Sequence, residues 1–327
     1  SILELREKLR DFYGKYEIYV VTCVKFILAF IAFWLINSKM GYMENLDNLA
    51  VPLILALLCA FLPINGSVII GVLLLLVHLW SLAIEVCLVA AGLFVLMFFM
   101  YYKFAPKNGY STLITPIMCS FRLPEAVPVS LGLLRGPSAY LSMVCGVITF
   151  YYVKGVQNNI GNFTVSDDKE KISKVTMALE ILTKNYEMFL VIATMGITAL
   201  TVYAIRKMNI NHAWRVATIV GNAVELALLT IGYLLMQDNS EIPWVIGGII
   251  LSTVVALLLE FFLYNLDYSR VERVQFEDDE YYYYAKAVPK VYLAEKQKKV
   301  KQITPKKERI NRRELAEELD IDEDLFD

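Results

Sequence analysis

Of the ionisable residues in the long apolar runs of this 327-residue chain, four matter most: Lys25, Glu85, Glu225 and Glu260. A charge in the hydrocarbon layer of a membrane is costly, and it marks an ion or substrate path by default. Glu85 and Glu260 stand near the ends of their runs, where a side chain reaches headgroups or water. Lys25 and Glu225 stand near the middle of theirs, at matching depth. An ion pair between them, or a protonated Glu225, is therefore the favoured arrangement. Asn222 precedes Glu225 by one turn and shares its face. In the run before, Thr194, Thr198 and Thr201 recur at helical spacing and form a hydroxyl stripe at compatible depth. Groups of this kind can line a path for a proton, an ion or a polar substrate. Threonines in membrane helices also bond back to their own backbone and hold helices together.

Signs of enzymatic chemistry are poor. The chain has no P-loop, dinucleotide fingerprint, HExxH motif or paired membrane aspartates. Gly136-Pro137-Ser138-Ala139 together with His212 superficially resembles the serine and histidine of intramembrane serine proteases. The likeness covers four residues, however, Pro137 is wrong for it, and His212 opens a run without the small residues that should follow. No enzyme is expected. Cys23, Cys59, Cys87, Cys119 and Cys145 all fall in apolar segments without CxxC spacing, so they read as small core hydrophobes rather than disulfides or metal ligands. His78, on a leucine-rich segment, reads as a packed histidine. No cofactor is expected.

The elements that must position these groups follow from composition. The chain is 57% hydrophobic with mean hydropathy +0.51, and the apolar excess is gathered in long runs, which makes this an all-α polytopic membrane protein. About 20 apolar residues cross the hydrocarbon core. Six full spans meet that length: 18–36, 83–102, 138–153, 186–205, 215–236 and 244–263. Two further apolar stretches, 49–80 and 113–152, are broken, the first at Pro63 and Gly66, the second at Pro124, Pro128 and Gly132. Their arms look too short to cross singly, so each reads as a re-entrant hairpin, with eight spans in all as the alternative. Broken helices leave backbone amides and carbonyls free inside the bilayer, and this is tolerated only where protein or a water-filled cavity receives them.

At an offset of 61 residues the two broken stretches match at Leu62-Pro63 and Leu123-Pro124, Val68 and Val129, Gly71 and Gly132, Leu73 and Leu134, and Ser81 and Ser142. A single span separates them, so they must enter from opposite faces, as in an inverted repeat. Inverted repeats with discontinuous helices recur among transporters.

Basic residues set the orientation. Arg6, Lys8, Arg10 and Lys15, then Lys103 and Lys107, then Arg206, Lys207 and Arg215, then Arg270 and Arg273 all fall on one side, whereas the 237–243 loop carries none. The positive-inside rule places both termini in the cytoplasm, with the protein integral to the cytoplasmic (plasma) membrane. The first apolar run is long enough to span and no small-residue cleavage site follows it, so no cleavable leader is expected.

Residues 1–17 read as a cytoplasmic amphipathic helix, on Ile2, Leu5, Leu9 and Phe12. Residues 18–263 form the transmembrane domain. Its outer amphipathic segment, 154–185, starts a helix near Ser166, Asp167 and Asp168 and is expected to rest on lipid. Residues 264–327 form a charged cytoplasmic tail. In it, Val271, Val274 and Phe276, an acidic turn at 277–280, and Tyr281 to Tyr284 with Val288 read as two strands. A basic block from Lys296 to Arg313 suits anionic headgroups. Thr304-Pro305 opens a short helix, and the acidic 314–327 carries spaced apolar anchors.

The partners expected are the lipid bilayer, a cytosolic protein through residues 267–327, and a second copy of the chain. Nucleic acid is not among them, because the net charge is −2 and the basic residues form no stripe. Two functions fit. One is a transporter or channel-like permease with a midplane polar site; the other is a membrane scaffold or assembly subunit that recruits partners through its tail.

Overall fold

The computed structural model describes residues 2–164, 171–208, 210, 212–263, 272–277 and 282–287. The chain divides into two units, 1–264 and 265–327. In the second, β1 (Glu272–Glu277) pairs antiparallel with β2 (Tyr282–Ala287), with Phe276 opposite Tyr283. The basic block and the acidic end of the tail lie outside the described residues, as do the residues expected to cap a helix near Ser166.

The first unit is helical: α1 (Ile2–Met40), α2 (Ala50–Phe61), α3 (Ile64–Leu82), α4 (Ile84–Phe104), α5 (Gly109–Ser120), α6 (Ala126–Leu134), α7 (Ala139–Asn158), α8 (Ile160–Thr164), α9 (Lys171–Thr183), α10 (Tyr186–Arg206), α11 (Ala213–Leu235) and α12 (Ile242–Leu263). Among the described residues seven stretches are long and apolar enough to cross a membrane; they lie in α1, α3, α4, α7, α10 (with α9 ahead of it), α11 and α12. The outward surface is apolar. On α2 alone Leu53, Ile54, Leu57, Leu58 and Phe61 are exposed, a pattern suited to lipid rather than water.

Three sequence expectations change. The break at Pro63 separates a short helix from a long one, not two short arms. Proline lacks an N–H and suits a helix start, so α3 begins directly after it, takes in Ile64, Asn65 and Gly66, and reaches span length with 19 residues. The N-terminal helix is continuous with the first span, and the two segments meet at Tyr16, whose backbone is non-helical (φ −120°, ψ 23°). Finally, α9 does not rest on lipid alone. Its Ala178 and Ile181 are buried in the core built by α3, α4 and α7, and Ile181 lies so close to Gly155 of α7 that a Cβ there would sit 2.2 Å away.

The chain folds back at both breaks. Asn37 of α1 donates to the carbonyls of Leu46 (2.6 Å) and Asn48 (3.3 Å), just ahead of α2. Further back on α1, Lys25 meets Leu62, just past the end of α2, so α2 runs antiparallel to α1. α3 then returns: Asn65 accepts from the Tyr101 hydroxyl (2.8 Å) at its start, and His78 Nε2 pairs with Asn37 Oδ1 (3.0 Å) near its end.

The second break is similar. Asn108, ahead of α5, donates to the hydroxyl of Ser138 (3.5 Å), ahead of α7, and Gly146 of α7 lies against Thr115 and Pro116 of α5. α5 and α7 therefore run side by side in one direction and α6 runs back. α5 ends where the amides of Arg122 and Leu123 bond to the carbonyls of Cys119 (3.1 Å) and Met118 (3.0 Å). This Schellman-type turn needs left-handed backbone, which Arg122 adopts at φ 60°.

Candidate functional site

The site lies where α6, α10, α11 and α12 pack together. Glycines let the backbones approach. A Cβ on Gly132 of α6 would meet Val202 Cβ at 2.7 Å and the Ala199 carbonyl at 2.8 Å, and a Cβ on Gly221 of α11 would meet Val202 Cγ2 at 2.2 Å. Small residues at such crossings are the usual means of close helix packing in lipid.

Val129 of α6 also touches the Gly221 position, at 3.8 Å. One turn further along each helix, in the same spatial direction, come Glu125 and Glu225. The two carboxylates lie within electrostatic reach of one another. Both are buried, with 3% and 1% exposure, and in each the Oε2 atom has no hydrogen-bond partner among the described residues. Glu125 stands at the N-cap of α6, immediately after Pro124, and its Oε2 presses on α12 where Gly248 leaves room; a Cβ there would sit 1.8 Å away.

One layer deeper, Asn222 bridges α11 to α12. It donates to Thr253 Oγ1 and accepts from Ser252 Oγ, both at 2.8 Å. On α10, Thr194 and Thr198 are buried and the Thr198 hydroxyl has no partner among the described residues, while Thr201 is half-buried. The four helices thus bury two carboxylates, an amide and several hydroxyls.

Two buried carboxylates, one within electrostatic reach of the other, are costly to ionise together without compensation, so the arrangement suits a bound proton or a monovalent cation. No group of three His, Cys, Asp or Glu side chains converges among the described residues. At the rim Arg122 pairs with Glu241 (3.7 Å) and covers the Trp244 ring (5.4 Å).

The expected Lys25–Glu225 pair does not form. Lys25 Nζ donates to the Leu62 carbonyl at 3.1 Å, capping α2 where Pro63 ends the helix and leaves that carbonyl free. Matching depth on two helices does not fix which faces meet, and each charge goes to a different break: Lys25 to the one at Pro63, Glu225 to the one at Pro124. Replacing Lys25 by Met leaves the Leu62 carbonyl unpaired in an apolar setting, and a loss of about 1–3 kcal/mol is expected. Thermal unfolding in detergent reads this, with Lys25→Arg retaining most of the stability; equal midpoints for Lys25→Met and the parent would exclude the capping role.

The other marked residues serve the breaks. Pro63 is the N-cap of α3, and the Gly66 amide bonds to its carbonyl (2.8 Å). Pro128 occupies the first turn of α6, where a missing N–H costs nothing. Glu260 pairs with Arg215 at 2.8 Å, so it is not merely solvated, and Glu85 stands in the first turn of α4. His78 is buried and bonded to Asn37, as a packed histidine should be. Ser138 accepts from Asn108, and His212 is the left-handed N-cap of α11.

Sequence reasoning missed Glu125 as the neighbour of Glu225, and Ser252 and Thr253 as partners of Asn222. The available signal was a carboxylate directly after a proline inside an apolar stretch, and a Ser-Thr pair at the middle of the last span.

Fold and site together define a helical integral membrane protein. No family model, no curated protein and no solved structure matches the chain.

Proposed function

We propose that this protein is a transporter or channel-like permease whose ionisable centre is the Glu125–Glu225 pair. The observation that carries this reading is the pair itself: two buried carboxylates, each with an oxygen unpaired among the described residues, one placed at a broken helix and the other on a helix of span length. Such a pair stabilises little in lipid and much more naturally binds and releases a proton or small cation.

In this reading α5 with α6 is a re-entrant hairpin, α2 with the span-length α3 folds back from the opposite face, and both termini are cytoplasmic. The matched positions of the two stretches support it. Gly71 and Gly132 each follow their break proline by eight residues, and each lies at a close approach to another helix, Gly71 against Phe33 of α1 and Gly132 against Val202 of α10. Substrate is carried past the pair as the surrounding helices rearrange from a closed arrangement, in which protein encloses both carboxylates.

The test is proton movement into reconstituted vesicles under an imposed pH gradient, read by an entrapped pH-sensitive dye, with and without sodium. Protein-dependent acidification supports the reading, and protein vesicles no different from empty ones in both media would sink it.

A further inference from the structure

A cavity of about 510 Å³ lies away from the carboxylate pair, between α1, α3, α4, α5 and α7. Its wall is almost wholly apolar. It runs along α3 from Asn65 to Leu76, about 16 Å at the rise of a helix. Leu73, Val95 and Phe98 on its rim are exposed, so it opens sideways onto the lipid-facing surface.

The two ends differ in chemistry. At one, Asn65 and Tyr101 satisfy each other, and Asn65 also donates to the Pro106 carbonyl (2.9 Å); this end offers little to a ligand. At the other stands Lys39, one residue from the end of α1. Its ammonium lies over the Phe150 ring at 5.1 Å and has no carboxylate within ion-pair distance among the described residues. The nearby Lys154 is already paired with Glu187 at 2.9 Å. A long apolar slot that opens to lipid and carries an unpaired cation at one end is complementary to one kind of molecule.

We propose that this cavity holds an acyl chain of an anionic phospholipid, with the phosphate at Lys39. The chain fills the slot between α3, α4 and α5, and the headgroup replaces water at the ammonium. Neutral lipids with the same chains enter more weakly, because they lack the net charge that Lys39 selects.

The experiment uses the full chain in mixed micelles with phosphatidylglycerol or phosphatidylcholine of identical chains, and counts lipids retained per protein by native mass spectrometry. The parent is expected to retain phosphatidylglycerol in preference. Lys39→Gln should lose about fivefold of that preference, the share of one basic residue, and Lys39→Arg should keep it. Leu76→Phe, which narrows the slot without touching the charge, should lower retention of both lipids. A parent that retains neither lipid, or a Lys39→Gln protein with the parent's preference, overturns the proposal. So does retention of oleate in place of phosphatidylglycerol, which would make the ligand a free fatty acid.

Discussion

Glu225→Gln abolishes pH-gradient-driven flux in reconstituted vesicles, and Glu125→Gln does the same, while both proteins remain folded. The amide keeps the size and much of the hydrogen-bonding capacity of the carboxyl but can neither give up a proton nor neutralise a cation. Removing a buried ionisable group does not weaken packing and often strengthens it, so unfolding midpoints should stay at or above that of the parent. If the two carboxylates serve one centre, the losses do not add, and the double variant should be no worse than either single one.

Infrared difference spectra across a pH jump give a second measurement that needs no substrate. The parent should show the carbonyl band of a protonated carboxyl group, and each single variant should lose or shift it. Full flux in Glu225→Gln, or a carboxyl band unchanged by both substitutions, would rule out the pair as the centre. A purely structural pair predicts the reverse pattern: flux unchanged and stability altered.

Much of the fold was legible because the rules of lipid are strict. Apolar runs of the right length become helices that cross, and prolines end them, so the breaks at Pro63 and Pro124 fall where the sequence puts them. The helix arms were harder. The length of α3 depends on residues between Pro63 and Ser67 that look like a turn by composition, yet Asn65 finds Tyr101 and Pro106 and the helix can start early.

In the site, burial was legible one helix at a time: Asn222 and Glu225 are buried on α11, and Thr194 and Thr198 on α10. Pairing across helices was not legible, because it depends on rotation about each helix axis, which hydropathy does not report. Lys25 and Glu225 looked like partners by depth and charge, but the glycines decided otherwise: Gly132 and Gly221 bring α6 and α11 together around Val202, and with them Glu125 and Glu225. Those glycines carry no charge and no motif, and in a long apolar sequence they are easily read as filler.

That crossing yields the second large effect. Gly221→Ala places a methyl 2.2 Å from Val202 Cγ2, and Val202 is fully buried with Gly132 on its other side. A β-branched side chain in a helix has essentially one rotamer, so it cannot turn away. The helices must separate, at a cost of about 1–3 kcal/mol, visible as a lower unfolding midpoint in detergent. Gly92→Ala, where nothing lies within 4 Å, should be neutral and serves as the control. Val202→Ala alone leaves a small void worth roughly 2 kcal/mol, but it also removes the methyl that obstructs Gly221→Ala. The double variant should therefore be more stable than the two losses added together, by about 1 kcal/mol or more. Gly132→Ala should stay destabilising even with Val202→Ala, because the Ala199 carbonyl still lies 2.8 Å from the new methyl and backbone cannot be trimmed. If Gly221→Ala melts with Gly92→Ala, the close crossing is wrong, and with it the placement of Glu125 beside Glu225. If it melts lower and also loses flux in the folded fraction, helix spacing at Val202 sets the geometry of the carboxylate pair one turn away.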